Sequence, residues 1–324
     1  MSLRRRRWPF AATALVALLV LVPVLVSATG TAASVARTKK PRPWPPPVKP
    51  VFKHALPGEG VWHRTGPKYH GGPPVLVTVF RTDPAYPTVV AYVAWFDRKR
   101  TSIAFYPGRY EPPNAAVRGP MMVPHGQRWR LLATFNSGFT YAYNGNGSSI
   151  NGRENEPFRR GLATLVGYRS GGLAIRLWND GPNASKRTAW ARQSLPPIVW
   201  NGKVNPDLND SKEWGETIGN SIRVWRTGVG LDRRGNLLFV VADSQTVESL
   251  ARVMVHIGAV RAMEFDINSE WHTLITYRHS KHGLLPTMVE PQPNHTAYRY
   301  LTPDDRDFFA VYRRLPGNFT VPFK

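Results

Sequence analysis

The stretch from Asp243 to Tyr277 most constrains the fold, because a helical repeat is followed at once by a strand repeat. Four apolar residues spaced i, i+3, i+7 and i+10 form one stripe on a helix: Val247, Leu250, Met254 and Ile257. Ser244 or Thr246 is available as N-cap, and Gly258 is a typical C-terminal stop. The sequence therefore predicts a short amphipathic helix with one buried face.

The residues from Val260 to Asp266 then alternate as a strand. Met263 and Phe265 would share one face, and Glu264 and Asp266 the other. Ligand sites collect where strands end in sheets layered with helices, so this strand end predicts a site with two carboxylates. The alternative is a strand end with solvated acids and no function.

The composition favours many strands and turns over a helical bundle. The 324-residue chain is 42% hydrophobic, with 30 prolines and 27 glycines. We predict an α+β fold, a strand-rich single domain of mixed sheets with few helices and long Gly/Asn/Pro loops. The chain has no cysteine, which excludes disulfides, thiolate metal sites and cysteine nucleophiles.

Strand patterns recur along the chain and predict how the sheets are built. Residues 75–80, 88–96 and 102–106 should form an N-terminal antiparallel sheet, and 130–135 another strand. Hairpins are predicted at 161–167 with 173–178 and at 224–231 with 236–242. Residues 144–152 are almost wholly Asn, Gly and Ser, which indicates a mobile loop.

The N-terminus has the pattern of an export signal. Arg4–Arg7 precede an uncharged, mainly apolar run at residues 8–28, and small residues continue to 36. The run suits a cleaved signal peptide but is also long enough to span a bilayer as a signal anchor. We predict an exported protein, secreted or anchored to the outer face of the cytoplasmic membrane.

The next segment is rich in proline and lysine. Residues 37–56 are predicted to be an extended basic linker, followed by the domain at 57–324 with its core at about 75–310. The linker would hold the domain away from a membrane, or adhere to an anionic polymer.

The strong positive charge restricts the partners. The formal net charge is +22, and removal of residues 1–36 takes away four arginines and no acids, leaving +18. Such a surface attracts polyanions. Because the export signal argues against nucleic acid, the expected partner is a phosphate-bearing glycan or cell-wall polymer, with membrane contact through residues 8–28.

Four motifs occur in an order typical of one family. They are Asn136-Ser137-Gly138-Phe139, Arg226-Thr-Gly-Val-Gly-Leu-Asp-Arg-Arg-Gly, Ile257-Gly258-Ala259 and Ala262-Met263-Glu264-Phe265-Asp266. They resemble the Asn-Gly-Gly-Phe, Arg-x-x-x-Gly with Asp-Gly, Leu-Gly-Ala and Ala-x-x-Leu-Asp motifs of the phosphodiester glycosidases. The resemblance covers roughly residues 75–280, and Trp214-Gly215-Glu216-Thr217 looks most like an actinobacterial branch of exported members.

This resemblance implies a hydrolase that cleaves a sugar-1-phosphodiester of the cell envelope. It implies Asp266 as nucleophile or general base, with Glu264 as the second carboxylate. Arg226 and Arg160 would hold the phosphate in a fork that lysine matches poorly. The substrate-binding residues would be completed by Asn136, Gly138 and Asn268. No metal or cofactor is predicted, since Glu270 and His272 are a weak ligand pair with no third partner.

One departure from the family pattern supports another function. The family usually follows its Asp with a Gly-Gly-Gly-Ser run, where this chain has Ile267, Asn268 and Ser269. Glycines would let a substrate approach the backbone closely, which β-branched Ile267 hinders. The alternative is a catalytically inactive module that binds an anionic glycan of the envelope in the same pocket.

Overall fold

A computed structural model describes residues 44–179, 185–208, 214–215 and 221–315, apart from the side chain of Asn144. The predicted signal or anchor and the first part of the linker lie outside these ranges. Within the described residues, no helix combines the length and the apolar character needed to cross a membrane. The described residues form one compact unit.

The first sheet has eight strands in the order β1-β2-β3-β14-β13-β15-β11-β12. Its strands are β1 (His63–Arg64), β2 (Val75–Asp83), β3 (Tyr86–Phe96), β11 (Pro197–Trp200), β12 (Lys203–Val204), β13 (Val224–Asp232), β14 (Leu237–Gln245) and β15 (Ala259–Glu264). All paired neighbours are antiparallel, and β13 lies between β14 and β15. The C-terminal ends of β14 and β15 therefore lie beside the N-terminal start of β13, where these three interior strands leave the sheet.

Two five-stranded antiparallel sheets complete the fold, in the orders β7-β6-β10-β8-β9 and β17-β16-β5-β18-β4. The second sheet has β6 (Ser148–Ile150), β7 (Arg153–Glu156), β8 (Ala163–Tyr168), β9 (Leu173–Leu177) and β10 (Thr188–Gln193). The third has β4 (Thr101–Tyr106), β5 (Leu131–Asn136), β16 (Leu274–Ser280), β17 (Gly283–Met288) and β18 (Phe308–Arg313). Short 3₁₀ helices are at His125–Arg130 and Arg299–Leu301.

The α-helices of the described chain are α1 (Tyr141–Asn144) and α2 (Val247–His256). The largest apolar cluster is built from all three sheets and includes stacked Phe135, Phe239 and Phe309. The prediction of a strand-rich α+β fold with few helices is therefore confirmed.

Helix α2 lies on the first sheet as its periodicity predicted. Thr246 is the N-cap, and its side chain and that of Ser249 form a reciprocal capping box. The apolar stripe is buried against β13, where Gly230 leaves no room for a side chain: a Cβ there would lie 2.9 Å from the Met254 methyl. Gly258 ends the helix with φ +94°. Close contact between helix and sheet thus depends on glycine in β13.

The N-terminal sheet differs from the prediction, because β4 leaves β2 and β3 and pairs with β18 in the third sheet. Every residue of β4 is buried. Phe105 lies in the main core, and Tyr106 lies in a separate cluster on the opposite face of the third sheet. A strand that is buried on both faces must lie in a sheet with packed layers on either side. The alternation of residues along the chain does not reveal which sheet such a strand joins.

The prediction of a mobile loop at 144–152 is wrong for its central part. Ser148–Ile150 form β6, which pairs with β7 and β10, and Ser148 and Ser149 are buried. The side chain of Gln193 accepts a hydrogen bond from the Gly147 amide at 3.1 Å. These polar residues are ordered because the adjacent strand β7, and β10, which is distant in sequence, satisfy their backbone groups.

The predicted linker does not act as a free spacer beyond residue 44. Val48 is buried in the cluster under α2, and its amide donates to the Gly60 carbonyl at 2.9 Å. The Trp62 indole donates to the Pro46 carbonyl, and the His256 ring is 2.6 Å from the Lys49 carbonyl. This proline-rich segment is held on the domain because one apolar side chain packs into the core and its backbone carbonyls accept hydrogen bonds from domain side chains.

One buried carboxyl predicts how stability depends on pH. Glu290 accepts a hydrogen bond from the Leu274 amide at 2.7 Å, and burial raises its pKa to about 8. The folded chain therefore keeps a proton that the unfolded chain loses above its ordinary pKa of 4.5. The free energy of unfolding should fall as pH rises from about 4.5 to about 8, by at most on the order of 5 kcal/mol from this group.

Denaturant unfolding of wild type and Glu290→Gln across this pH range is the measurement. We expect the variant to lose less stability, since glutamine keeps the acceptor for Leu274 without a titrating proton. Glu154→Gln, which removes an exposed carboxyl, is the control. Identical pH profiles for wild type and Glu290→Gln would contradict the prediction.

Candidate active site

A cavity of about 500 Å³ lies where β14 and β15 end and β13 begins. Its lining combines aromatic, acidic and basic side chains: Phe139, Thr140, Tyr143, Arg223, Val224, Trp225, Asp243, Asp266, Ile267, Asn268, Ser269 and Arg306. This volume is in the range of small-molecule sites. The carboxyl ends of β14 and β15 lie side by side here, because both strands run antiparallel to β13 between them. A site at this position agrees with the prediction that ligands bind where strands end.

Asp266 follows β15 by two residues and is 5% exposed. Its Oδ1 accepts from the Asn268 amide at 2.9 Å, and its Oδ2 accepts from Arg306 Nη2 at 2.9 Å. Each oxygen thus has one partner, and further lone pairs remain to accept a proton or contact a substrate. The carboxylate is held in one orientation, and the Arg306 guanidinium in contact with it balances its charge.

Arg306 brings the positive charge into the cavity from the C-terminal segment. Its Nη2 also donates to the Gly138 carbonyl at 3.1 Å, and its guanidinium lies 5.1 Å from the Trp271 ring centroid. Among the described residues, its buried Nε has no hydrogen-bond partner. The guanidinium is therefore oriented by several groups while retaining donor capacity, which suits an anionic ligand.

The arm that carries Arg306 is fixed by two buried ion pairs. Arg299 Nε and Nη2 donate to the two oxygens of Asp304, at 2.7 and 3.1 Å. Arg192 Nε donates to Asp307 Oδ2 at 2.6 Å, and both side chains are almost fully buried. Asp304 Oδ1 also accepts from the Arg306 amide. Paired charges on both sides of Arg306 thus position its backbone.

Asn136 and Thr227 hold the backbone of Asp266. The Thr227 hydroxyl accepts from Asn136 Nδ2 at 3.0 Å and from the Asp266 amide at 2.9 Å, and it donates to the Asp266 carbonyl at 3.1 Å. Asn136 Oδ1 accepts from the Thr273 amide. The hydroxyl uses its donor and both acceptors, so the network positions Asp266 from β5 and β13.

Glu264 does not share the cavity with Asp266. Its Oε1 accepts from Arg226 Nη1 at 2.6 Å, and the pair is buried. Arg226 also donates to the Gln245 and Trp214 carbonyls. Burial raises the pKa of Glu264 to about 7 although Arg226 and its hydrogen bond oppose this. The predicted alternation fails because Phe265 and Asp266 both pair with Thr227. The Phe265 amide donates to the Thr227 carbonyl and the Thr227 amide donates to the Asp266 carbonyl, each at 2.8 Å, so regular alternation ends at Glu264.

Asp243 is the other carboxylate of the cavity, at the end of β14. It is half-buried and accepts from the Ser244 amide at 2.6 Å. Arg223 also lines the cavity, but its Nη1 donates to the Ser244 carbonyl and its Nη2 lies 3.4 Å from an Asp83 carboxylate oxygen. The cavity thus has two acids and two arginines, of which Asp266 and Arg306 form the internal ion pair.

Stacked aromatic rings form the walls. Trp225 stacks on His272 with centroids 4.0 Å apart, and Phe139 stacks on Tyr143 at 5.0 Å. Burial lowers the pKa of His272, whose Nε2 lies 3.1 Å from the Pro291 carbonyl. Neutral His272 therefore supports Trp225 as a rigid wall rather than adding charge.

The residues predicted for the site have different positions. Asp266 and Asn268 line the cavity, and Gly138 contributes its carbonyl to Arg306. Buried Asn136 supports Asp266 from behind, and Glu264 and Arg226 pair with each other. Arg160 is exposed and is not among the lining residues. The phosphate fork expected from Arg226 therefore does not face this cavity, because Arg226 balances Glu264.

Several lining residues were not predicted, including Arg306, Asp243 and Trp225. Asp243 and Trp225 have a sequence signal, since each lies at the end of a predicted hairpin strand. Arg306 has no local sequence signal, because it lies 40 residues beyond Asp266. Over the described part of the chain, no group of three or more His, Asp or Glu side chains is arranged to hold a metal ion.

Comparison with known families identifies the central part of the chain. Residues 114–266 match the family model described as phosphodiester glycosidase, so the resemblance predicted from the four motifs is confirmed for this segment. The segment includes Asn136, Arg192 and Asp266 but ends before Arg306. No curated protein sequence gives a significant match.

Solved structures give distant similarities. The zebrafish N-acetylglucosamine-1-phosphodiester alpha-N-acetylglucosaminidase catalytic domain, auto-inhibited by its pro-peptide, is 16% identical with a TM-score of 0.47, over 76% of this chain and 86% of that one. A hypothetical protein from Synechocystis is 12% identical with a TM-score of 0.41, over 74% and 62%. A putative exported protein from Burkholderia pseudomallei is 12% identical with a TM-score of 0.32, over 69% and 74%.

Proposed function

We propose, from the premise that residues 114–266 belong to the phosphodiester glycosidase family, that this protein is an exported hydrolase of a sugar-1-phosphodiester or related phosphate-linked glycan of the cell envelope. The observation that carries the proposal is the pairing of Asp266 with Arg306 in an aromatic-walled cavity. The pair combines a carboxylate that can act on the anomeric carbon, as nucleophile or general base, with a cation that can bind the phosphate.

The chemistry requires few groups. Cleavage between the anomeric carbon and its oxygen releases a phosphate monoester, whose second pKa is about 6. Such a leaving group departs without the strong general acid that an ordinary glycoside requires. Asp266 would either take a proton from the water that attacks the anomeric carbon, or attack that carbon itself to form a glycosyl ester that water then hydrolyses. Glu264, buried with Arg226, is not needed for either step.

Arg306 is the proposed phosphate ligand, in place of Arg226 and Arg160. Its Nη2 already contacts Asp266, and its Nε is buried beside the cavity. A phosphodiester placed against this guanidinium would put the anomeric carbon near the Asp266 carboxylate. The same contact would weaken the ion pair, so substrate binding would release Asp266 for the reaction.

A second candidate function is a glycan-binding module without turnover. The supporting observation is Ile267, which lines the cavity and packs so near Gly215 that a Cβ there would lie 2.6 Å from the Ile267 methyl. An isoleucine at this point narrows the space where a sugar would approach the backbone. The module would use Arg306 and the aromatic walls and leave the bond intact.

Turnover separates the two functions. A panel of sugar-1-phosphodiesters that differ in the sugar is incubated with the protein, and phosphate monoester release is measured. The enzyme should release monoester from at least one member and from none of the matching glycosides without phosphate. Saturable binding with no release from any member would reject the enzyme and favour the module.

The N-terminal sequence supports the proposed export, because the basic residues Arg4–Arg7 precede an apolar run at residues 8–28. N-terminal sequencing of protein from cell fractions is the test. We expect an envelope or secreted protein that begins near residue 37, or an intact outward-facing chain if the segment at 8–28 remains as an anchor. A cytoplasmic protein that begins at Met1 would contradict export.

A further inference from the structure

A second groove, of about 830 Å³, lies between the edge strand β1 and the end of β16. It is lined by Trp62, His63, Arg64, Thr65, Gly66, Pro67, Arg278, His279, Ser280 and Leu285. None of these residues lines the cavity around Asp266. The groove is therefore a separate surface, formed by the first and third sheets.

The charge of the groove has one sign. Arg64 and Arg278 lie on strands of different sheets, and no acidic side chain is among the lining residues. Within the described chain, neither guanidinium has a hydrogen bond or ion pair, whereas Arg81 and Arg100 each pair with a carboxylate. Both side chains are exposed. Two uncompensated cations across a groove attract an anion that can contact both.

The size of the groove favours a ligand larger than a single phosphate. Its volume is near the upper end of small-molecule sites, so a single phosphate would leave most of it empty. A linear polymer with repeated phosphates could lie along the groove and contact both arginines.

We propose that this groove binds a phosphodiester-linked polymer, with Arg64 and Arg278 as its phosphate contacts. The groove would hold a polymeric substrate at a point separate from the reacting bond. This extends the proposed function by making the substrate a polymer, but binding here does not require Asp266 to be catalytic. Local concentration of the polymer would then favour its ends or branches at the active cavity.

The test measures binding of a poly(glycerol phosphate) oligomer to the full chain as a function of salt, with dextran as the uncharged comparison. Arg64→Ala with Arg278→Ala removes the two contacts. Arg153→Ala with Arg176→Ala is the matched control, because it removes two exposed arginines with no partner in the described chain and changes the net charge equally. Thermal melts verify that both double variants fold.

We expect the groove variant to bind the oligomer at least about tenfold more weakly, with a salt slope lower by about 1 to 2, and the control to bind as wild type. Turnover of a small sugar-1-phosphodiester should be the same in all three proteins. If wild type turns over no phosphodiester while the groove variant loses oligomer binding, the proposed reaction fails and the groove assignment stands.

Three results would overturn the proposal. Equal losses in the two double variants would mean that binding depends on overall charge. Dextran binding as strong as oligomer binding would remove phosphate as the determinant. Vesicles of an anionic phospholipid that bind more tightly than the oligomer, with the same loss in the groove variant, would assign the groove to a lipid surface.

Discussion

Asp266→Asn should lower kcat for a sugar-1-phosphodiester by about 10²-fold or more while the protein stays folded. Asparagine has nearly the same shape and keeps an oxygen that can accept from the Asn268 amide. It removes the negative charge that attacks the anomeric carbon or takes a proton from water. The measurement is the steady-state rate of phosphate monoester release by purified wild type and variant.

Asp243→Asn is the matched control, because it removes the other carboxylate of the same cavity. We expect a smaller loss, since the phosphate leaving group needs no strong acid. Equal losses would assign the two carboxylates a shared role. Full activity of Asp266→Asn would show that the strand-end aspartate has been given the wrong role.

The second large effect concerns Arg306→Lys, which should raise KM for the phosphodiester by roughly 10- to 100-fold with a smaller change in kcat. A hydrogen bond to a charged group contributes about 1.5 to 3 kcal/mol, and a lysine cannot reproduce the fork that contacts Asp266, Gly138 and a phosphate together. When a contact is made equally in the ground and transition states, its loss raises KM and leaves kcat unchanged.

Arg223→Lys is the control for Arg306→Lys, since Arg223 also lines the cavity but already contacts Ser244 and Asp83. Its KM should change less. If Arg306→Lys leaves KM unaltered, Arg306 does not hold the phosphate, and its contact with Asp266 is only structural. A large loss in kcat with constant KM would mean that the contact forms only in the transition state.

Local patterns predict the elements that position the site. The four-residue stripe, Thr246 and Gly258 determine helix α2 because these effects act over a few residues. Asp266 is found for the same reason: an alternating strand ends next to a polar segment. The antiparallel neighbours of β13 then bring Asp243 to the same edge, which follows from the predicted hairpin.

Other parts of the site depend on contacts that no local pattern records. Glu264 was paired with Asp266 because alternation was extended beyond the true end of β15, whereas the buried charge of Arg226 pairs with Glu264. Arg306 comes from a segment fixed by one local ion pair, Arg299 with Asp304, and by one that is distant in sequence, Arg192 with Asp307. The buried strand Ser148–Ile150 has the composition of a loop. It is a strand because its backbone pairs with β7 and β10, and composition does not record that pairing.

The central claim is that Asp266 directs cleavage at the anomeric carbon of a phosphate-linked sugar. Hydrolysis in ¹⁸O-labelled water, followed by mass spectrometry of the released phosphate monoester, tests the claim most directly, because it reports which bond breaks. Attack at the anomeric carbon leaves the monoester without ¹⁸O and places the label on the sugar. A monoester that gains one ¹⁸O from water in wild type would show cleavage at phosphorus and contradict the account.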